Sequence, residues 1–230
     1  MRQLPLDVQL ADYAVFESFY LGSNAAAVHA LGLVAAGEGS PVIWLWGPRG
    51  CGKSHLLQAC VGDASQRQRD TAYLPLHSAH GLGPSMLDGM GQVDMLCIDD
   101  AEIIAGESDW ERQLFGVFEN LTQHGGRLVL AAGGTVSACE FELPDLASRL
   151  MSGETYRLNG LTDEERVAAL QLRASWRGLE LPDETGRYLI ARVDRSAAAL
   201  FALLDQLDHA ALAAQKRLTV PFVRSVLEQN

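Results

Sequence analysis

The run Gly47-Pro48-Arg49-Gly50-Cys51-Gly52-Lys53-Ser54 spells G-x-x-x-x-G-K-S, a spacing suited to holding phosphate. Gly47, Gly50 and Gly52 let backbone N–H groups curl around phosphate oxygens, and the helix expected to start at Lys53 adds positive potential at its N-terminus. Lys53 would neutralise the terminal phosphates and Ser54 would hold Mg²⁺, with Cys51 and His55 in and beside the loop. Such a site also needs a carboxylate at the end of a neighbouring strand. Met95-Leu96-Cys97-Ile98-Asp99-Asp100 supplies two: Asp99 for the Mg²⁺ side and Asp100 to orient or polarise a water near the terminal phosphate. The competing reading, in which both are solvent-facing loop acids, is weakened by the phosphate loop elsewhere in the chain.

Elements of fixed type must position these groups. Short apolar runs at 42–46, 72–76, 95–98 and 128–132 predict strands, and helical periodicity near 53–62, 110–124 and 144–151 falls between or after them. Continuously apolar strands alternating with helices predict an α/β fold, a parallel sheet covered on both faces. After Leu158 the texture changes. Thr162 with Glu165 three residues on is a capping box opening a helix that carries Val167, Leu170 and Ala174. Further helices near 182–193, 195–214 and 219–229 make this part all-helical, with the boundary close to Asn159 and Gly160.

A chain of 230 residues, 48% hydrophobic and 20% charged, has enough apolar material for one sizeable core plus a satellite. Its formal net charge of -11 argues against gripping a nucleic-acid backbone as its main task, so little direct DNA binding is expected. Cys51, Cys60, Cys97 and Cys139 form no C-x-x-C pair, which suggests neither a disulfide framework nor structural zinc. Neither a leader nor a membrane span is recognisable, and a cytoplasmic protein is expected. Cys51, at a helix N-terminus, is the thiol expected to have a lowered pKa; a redox role and plain loop filler are both open. His77 and His80 lack a third ligand and are not read as a metal site.

The phosphate loop, Asp99-Asp100, Leu143-Pro144-Asp145-Leu146-Ala147-Ser148-Arg149-Leu150 and the helical C-terminal part together resemble the AAA+ ATPases of the DnaA branch. So does Phe19-Tyr20-Leu21-Gly22-Ser23-Asn24, similar to the stretch that contacts the base before the first helix, which implicates Tyr20 and Leu21. The resemblance implies a clamp-binding tail at 1–12, an AAA+ nucleotide-binding domain at 13–160 and a helical lid at 161–230. It implies that Arg149 acts as an arginine finger, reaching across a subunit interface to a neighbour's ATP; the competing role is to satisfy helix C-terminal carbonyls. Gln3, Leu4, Leu6 and Val8 resemble the short peptide by which members of this branch dock into the β sliding clamp on DNA, with Asp7 standing where an apolar residue or Pro is expected. DnaA carries a helix-turn-helix domain after the lid, whereas this sequence ends at Asn230, so a regulator of DnaA is expected rather than the initiator.

Two sites depart from an efficient ATPase of that family. Gly133 and Gly134 stand where a polar reader of the terminal phosphate is expected, and Ala198 stands at the lid arginine, with Arg195 one turn earlier as its substitute. ADP or another nucleoside diphosphate, with Mg²⁺, is therefore the expected cofactor; ATP is possible and turnover by the isolated protein weak or absent. The expected role is a nucleotide-bound regulator that stimulates ATP hydrolysis by DnaA and so represses re-initiation, with a homodimer or higher oligomer plausible from AAA+ geometry. The alternatives are an autonomous P-loop ATPase resembling a helicase loader, and a small-molecule kinase. A kinase needs phosphate-clamping arginines, whereas Arg166, Arg173 and Arg177 fall along the capped helix and read as a solvated face.

Overall fold

The computed structural model describes residues 14–192, 197–214 and 216–228. In chain order the main elements are α1 (Ala25–Ala35), β1 (Val42–Trp46), α2 (Lys53–Gln66), β2 (Thr71–Pro75), α3 (Leu76–Ala79), β3 (Met95–Asp99), α4 (Ser108–Gln123), β4 (Arg127–Ala132), α5 (Val136–Cys139), α6 (Pro144–Met151) and β5 (Glu154–Arg157). The helices α7 (Asp163–Trp176), α8 (Asp183–Ile190), α9 (Ala197–Ala214) and α10 (Val220–Leu227) follow. Residues 14–16 and 23–159 form one compact unit; residues 17–22 cluster with the helical residues from Gly160 onward.

The first unit is built on a five-stranded parallel sheet in the order β2-β3-β4-β1-β5. Side chains alternate across it, as the strand period requires. Trp44, Leu74, Leu96, Ile98, Leu128 and Leu130 pack with Trp110, Leu114, Val117 and Phe118 of α4. Ile43, Leu45, Met95, Cys97 and Val129, of opposite parity, are equally buried, and α1 and α2 pack against each other and the sheet. With both faces covered, the inner strands can be apolar throughout, and this is why the sequence marks β1, β3 and β4 clearly.

The edge strands carry weaker signals. Beta strand β5 reads Glu-Thr-Tyr-Arg, short and mostly exposed, and no apolar run announces it. It exists because its backbone pairs with β1 from Ile43↔Glu154 to Trp46↔Arg157. At the opposite edge, β2 ends at Pro75, and Leu76, expected in the strand, begins α3. A proline is tolerated there because its nitrogen has no ladder partner to lose on the open side.

The helical unit has its own core of Val167, Leu170, Ala174, Leu181, Leu189, Leu204, Leu207 and Val223. Its first helix opens with the expected box: Glu165 N–H donates to Thr162 Oγ1 at 3.2 Å, and Thr162 N–H donates to Glu165 Oε2 at 2.8 Å. Thr162→Ala is expected to lower the stability of this unit by about 1 kcal/mol in urea unfolding, the usual cost of losing such a cap; a change below about 0.3 kcal/mol would mean that tertiary packing alone fixes the helix start.

Candidate nucleotide site

The phosphate loop leaves the C-terminal end of β1 and turns into α2. Gly50 (φ 80°) and Gly52 (φ 99°) adopt left-handed backbone, which glycine tolerates without a steric penalty. Gly47 is glycine for a different reason: a Cβ there would lie 2.4 Å from the Leu158 carbonyl oxygen. Its N–H donates to the Ala132 carbonyl at 3.3 Å, which ties the start of the loop to the end of β4. Gly52 caps α2 without a side chain, so no residue of the cap competes for the first-turn N–H groups that make a helix N-terminus an anion site.

Lys53 is the first residue of α2 and is buried. Its ammonium donates to the carbonyls of Gly47 at 2.9 Å and Pro48 at 3.4 Å, held inside the curl of the loop. Ser54 is exposed beside it, and His55 Nε2 lies 3.1 Å from the Val15 carbonyl, which requires the ring proton on that nitrogen. Cys51 is buried in the loop, and burial raises its thiol pKa despite the opposing Lys53 charge. This corrects the expectation from its place at a helix N-terminus: desolvation outweighs the ammonium and the backbone N–H groups, so Cys51 is a protonated packing residue.

Asp99, at the end of β3, is buried and doubly engaged, accepting from the Tyr73 hydroxyl at 2.9 Å and from the Asp100 N–H at 3.1 Å. The Tyr73 hydroxyl is held neutral, its pKa pushed up by burial and then by the Asp99 charge. No motif marks Tyr73; the register Tyr73↔Cys97 places it diagonal to Asp99 across the β2–β3 pair. Asp100 has left-handed backbone (φ 55°), uncommon outside glycine and tolerated by aspartate. Partial burial raises its carboxyl pKa, helped by the charges of Asp99 and Glu102 and opposed by Lys53 and His77. Asp100 thus feels the charge of Lys53.

Glu102 is a residue that sequence reasoning missed. The left-handed turn at Asp100 leads into a 3₁₀ turn, Ala101–Ile104, and Glu102 Oε1 accepts the Gly133 N–H at 2.9 Å just past the end of β4. Gly134, next along, uses its carbonyl to accept the Trp44 indole N–H at 3.0 Å. At the end of β1, the Arg157 guanidinium lies 5.3 Å from the centroid of the half-buried Trp46 ring.

Arg149 lies in the last turn of α6, on the same unit. Its side chain is 56% exposed and its Nε lies 3.6 Å from Glu119 Oε1 of α4. Its place is fixed by Glu111, a fully buried carboxylate that the sequence did not single out. Glu111 accepts the N–H groups of Gly106 at 2.7 Å, Glu142 at 3.0 Å and Leu143 at 2.6 Å, the last two immediately before α6.

The remaining expected site residues belong to the second unit or lie outside the described residues. Tyr20 and Leu21 cluster with the helical unit, Leu21 45% exposed. Ala198 lies in the first turn of α9, while Arg195 and the peptide residues Gln3, Leu4, Leu6 and Val8 lie outside the described residues. The arginines of α7 do not form a solvated face. Arg173 is 3% exposed, beneath the Phe201 ring at 4.3 Å, and Arg177 pairs with Asp205 at 2.8 Å and Asp208 at 3.4 Å. Arg166 pairs with Asp163 at 2.6 Å. These guanidiniums serve the helical core and its rim. His80 stacks on Trp110 at 5.6 Å and pairs with Glu107 at 2.8 Å.

This architecture, a parallel sheet with a phosphate loop after β1 and a helical lid, is that of the AAA+ fold. The chain superposes on domain III of the Thermotoga maritima replication initiation protein DnaA with a TM-score of 0.79 at 24% identity, covering 96% of this chain and 98% of that one. AMPPCP-bound DnaA from Aquifex aeolicus matches with a TM-score of 0.70 at 21% identity, over 86% of this chain and 66% of that one. The Thermotoga maritima RuvB Holliday junction branch migration motor matches at 0.62 and 18% identity, over 91% and 67%. Residues 163–227 match the family model of the Hda lid domain. The chain thus shares the fold of DnaA domain III, and its helical segment is similar to the lid of Hda. Among the described residues no helix is long and apolar enough to cross a membrane.

Proposed function

We propose that this protein is a nucleotide-bound regulator of replication initiation that stimulates ATP hydrolysis by DnaA in concert with the β sliding clamp on DNA, and so represses re-initiation. The observation that carries the reading is Arg149: a guanidinium more than half exposed, on a helix whose start is fixed by Glu111, in a chain whose lid is of the Hda type. An exposed arginine on a rigid helix suits action on a neighbour's phosphates better than service to its own backbone. It meets DnaA through the finger and the clamp through residues 3, 4, 6 and 8.

The protein's own site fits a nucleoside diphosphate with Mg²⁺. Gly50 and Gly52 give the loop its left-handed curl, and Lys53 already gathers carbonyls inside it. Among the described residues no three His, Cys, Asp or Glu side chains form a metal site. Magnesium bound to phosphate needs no such cage; Ser54 and Asp99 would hold it with the phosphates and waters, and the ion would supply charge neutralisation. Tyr73 keeps the Asp99 carboxylate oriented. Lys53→Ala is expected to weaken ADP binding about 10- to 100-fold in calorimetric titration, the worth of a charge-assisted hydrogen bond.

The test of the function is ATP hydrolysis by DnaA with clamp loaded on DNA. Stimulation that requires both this protein and the clamp supports the regulator. No stimulation by a wild-type protein with confirmed bound nucleotide refutes it.

A further inference from the structure

The β4 end offers no side chain at Gly133, yet the space beside it is filled. Glu102 reaches it from the turn after β3, and its Oε1 lies 3.0 Å from where a Gly133 Cβ would be. Glycine at 133 thus leaves the carboxylate room that a Cβ would tighten. Oε1 is held by the Gly133 N–H, whereas Oε2 is buried and has no hydrogen-bond partner. The preceding residue, Ala132, accepts the N–H of Gly47, so this carboxylate stands one residue from the start of the phosphate loop. Asp99 and Asp100 lie on the adjoining strand end.

We propose that Glu102 is a specificity-determining residue of the nucleotide site, placing a fixed negative charge at its terminal-phosphate end and so selecting nucleoside diphosphates over triphosphates. The inference rests on the nucleotide-binding reading above. The charge is poorly compensated, because a buried carboxylate oxygen without a donor has lost its water and gained nothing in exchange. A third phosphate brings further negative charge towards the same strand ends, where Lys53 is already shared among phosphates and loop carbonyls. A neutral polar side chain on β4 would accept a triphosphate; a carboxylate leaning into a glycine notch disfavours it.

The experiment is calorimetric titration of the full chain with ADP and with AMPPCP, each with Mg²⁺, for wild type, Glu102→Gln and Gly133→Ala. Glutamine keeps the shape and the acceptor for the Gly133 N–H while removing the charge. Wild type is expected to prefer ADP, and Glu102→Gln to narrow that preference by about tenfold through tighter AMPPCP binding, with ADP affinity held within about twofold. Gly133→Ala, which presses a methyl group against Oε1, is expected to move the ratio the same way by a smaller factor and stands in should the glutamine variant fail to fold. An unchanged ratio in folded, ADP-binding variants overturns the proposal, as does a wild type without preference or a parallel loss of both nucleotides. If wild type binds neither nucleotide, the nucleotide-site reading itself fails, and the proposal falls with it.

Discussion

Arg149→Ala is expected to abolish the stimulation of DnaA ATP hydrolysis, lowering the stimulated rate on the order of a thousandfold, the scale of a lost arginine finger. The fold should not notice. The Arg149–Glu119 pair is 56% and 38% exposed at 3.6 Å, and such pairs contribute at most about 1 kcal/mol. Thermal unfolding and ADP affinity should therefore match wild type while the rate collapses, which separates a finger from a structural arginine. Arg149→Lys should recover little, because a point charge lacks the planar fork that spans two phosphate oxygens. Wild-type stimulation by the alanine variant would remove Arg149 from the mechanism and return it to the role of a helix C-terminal residue.

The second large effect is one of stability. Glu111→Ala strands three backbone N–H groups around a fully buried site, those of Gly106, Glu142 and Leu143. Each lost charge-assisted hydrogen bond in the interior is costly, and together they are expected to remove about 3–5 kcal/mol, a fall of about 10 °C in the unfolding midpoint of a chain this size. Glu111→Gln should fall between alanine and wild type, since it keeps one acceptor oxygen but turns an NH₂ group towards donors. Because Glu142 and Leu143 precede α6, the variant should also lose DnaA stimulation at temperatures where it is still folded. A loss below about 1 kcal/mol would mean that water or a shifted backbone satisfies those donors.

Helix α6 carries Arg149 and is anchored by Glu111. Pro144 in the first turn and Leu146 and Leu150 in the core make α6 a short amphipathic helix, but its direction comes from the carboxylate beneath its start. A finger acts only if its helix is rigid, because misplacement by an ångström forfeits much of the electrostatic gain.

What the sequence determined by itself were the features encoded in contiguous residues. The G-x-x-x-x-G-K-S run, the acids ending an apolar strand and the Thr162–Glu165 box each carry their geometry in a few neighbouring positions, because backbone dihedrals and helix ends are local physics. Burial on both faces likewise writes β1, β3 and β4 as apolar runs. The tertiary structure alone decided the rest. Strand β5 is polar and held by pairing; Glu102 and Glu111 are ordinary acids in sequence that accept N–H groups more than thirty residues away, Gly133 for the first and Glu142 and Leu143 for the second. Cys51 shows the same division, its local setting favouring the thiolate and its burial favouring the thiol. Desolvation and long-range hydrogen bonding depend on which surfaces meet in space, and spacing along the chain does not record that.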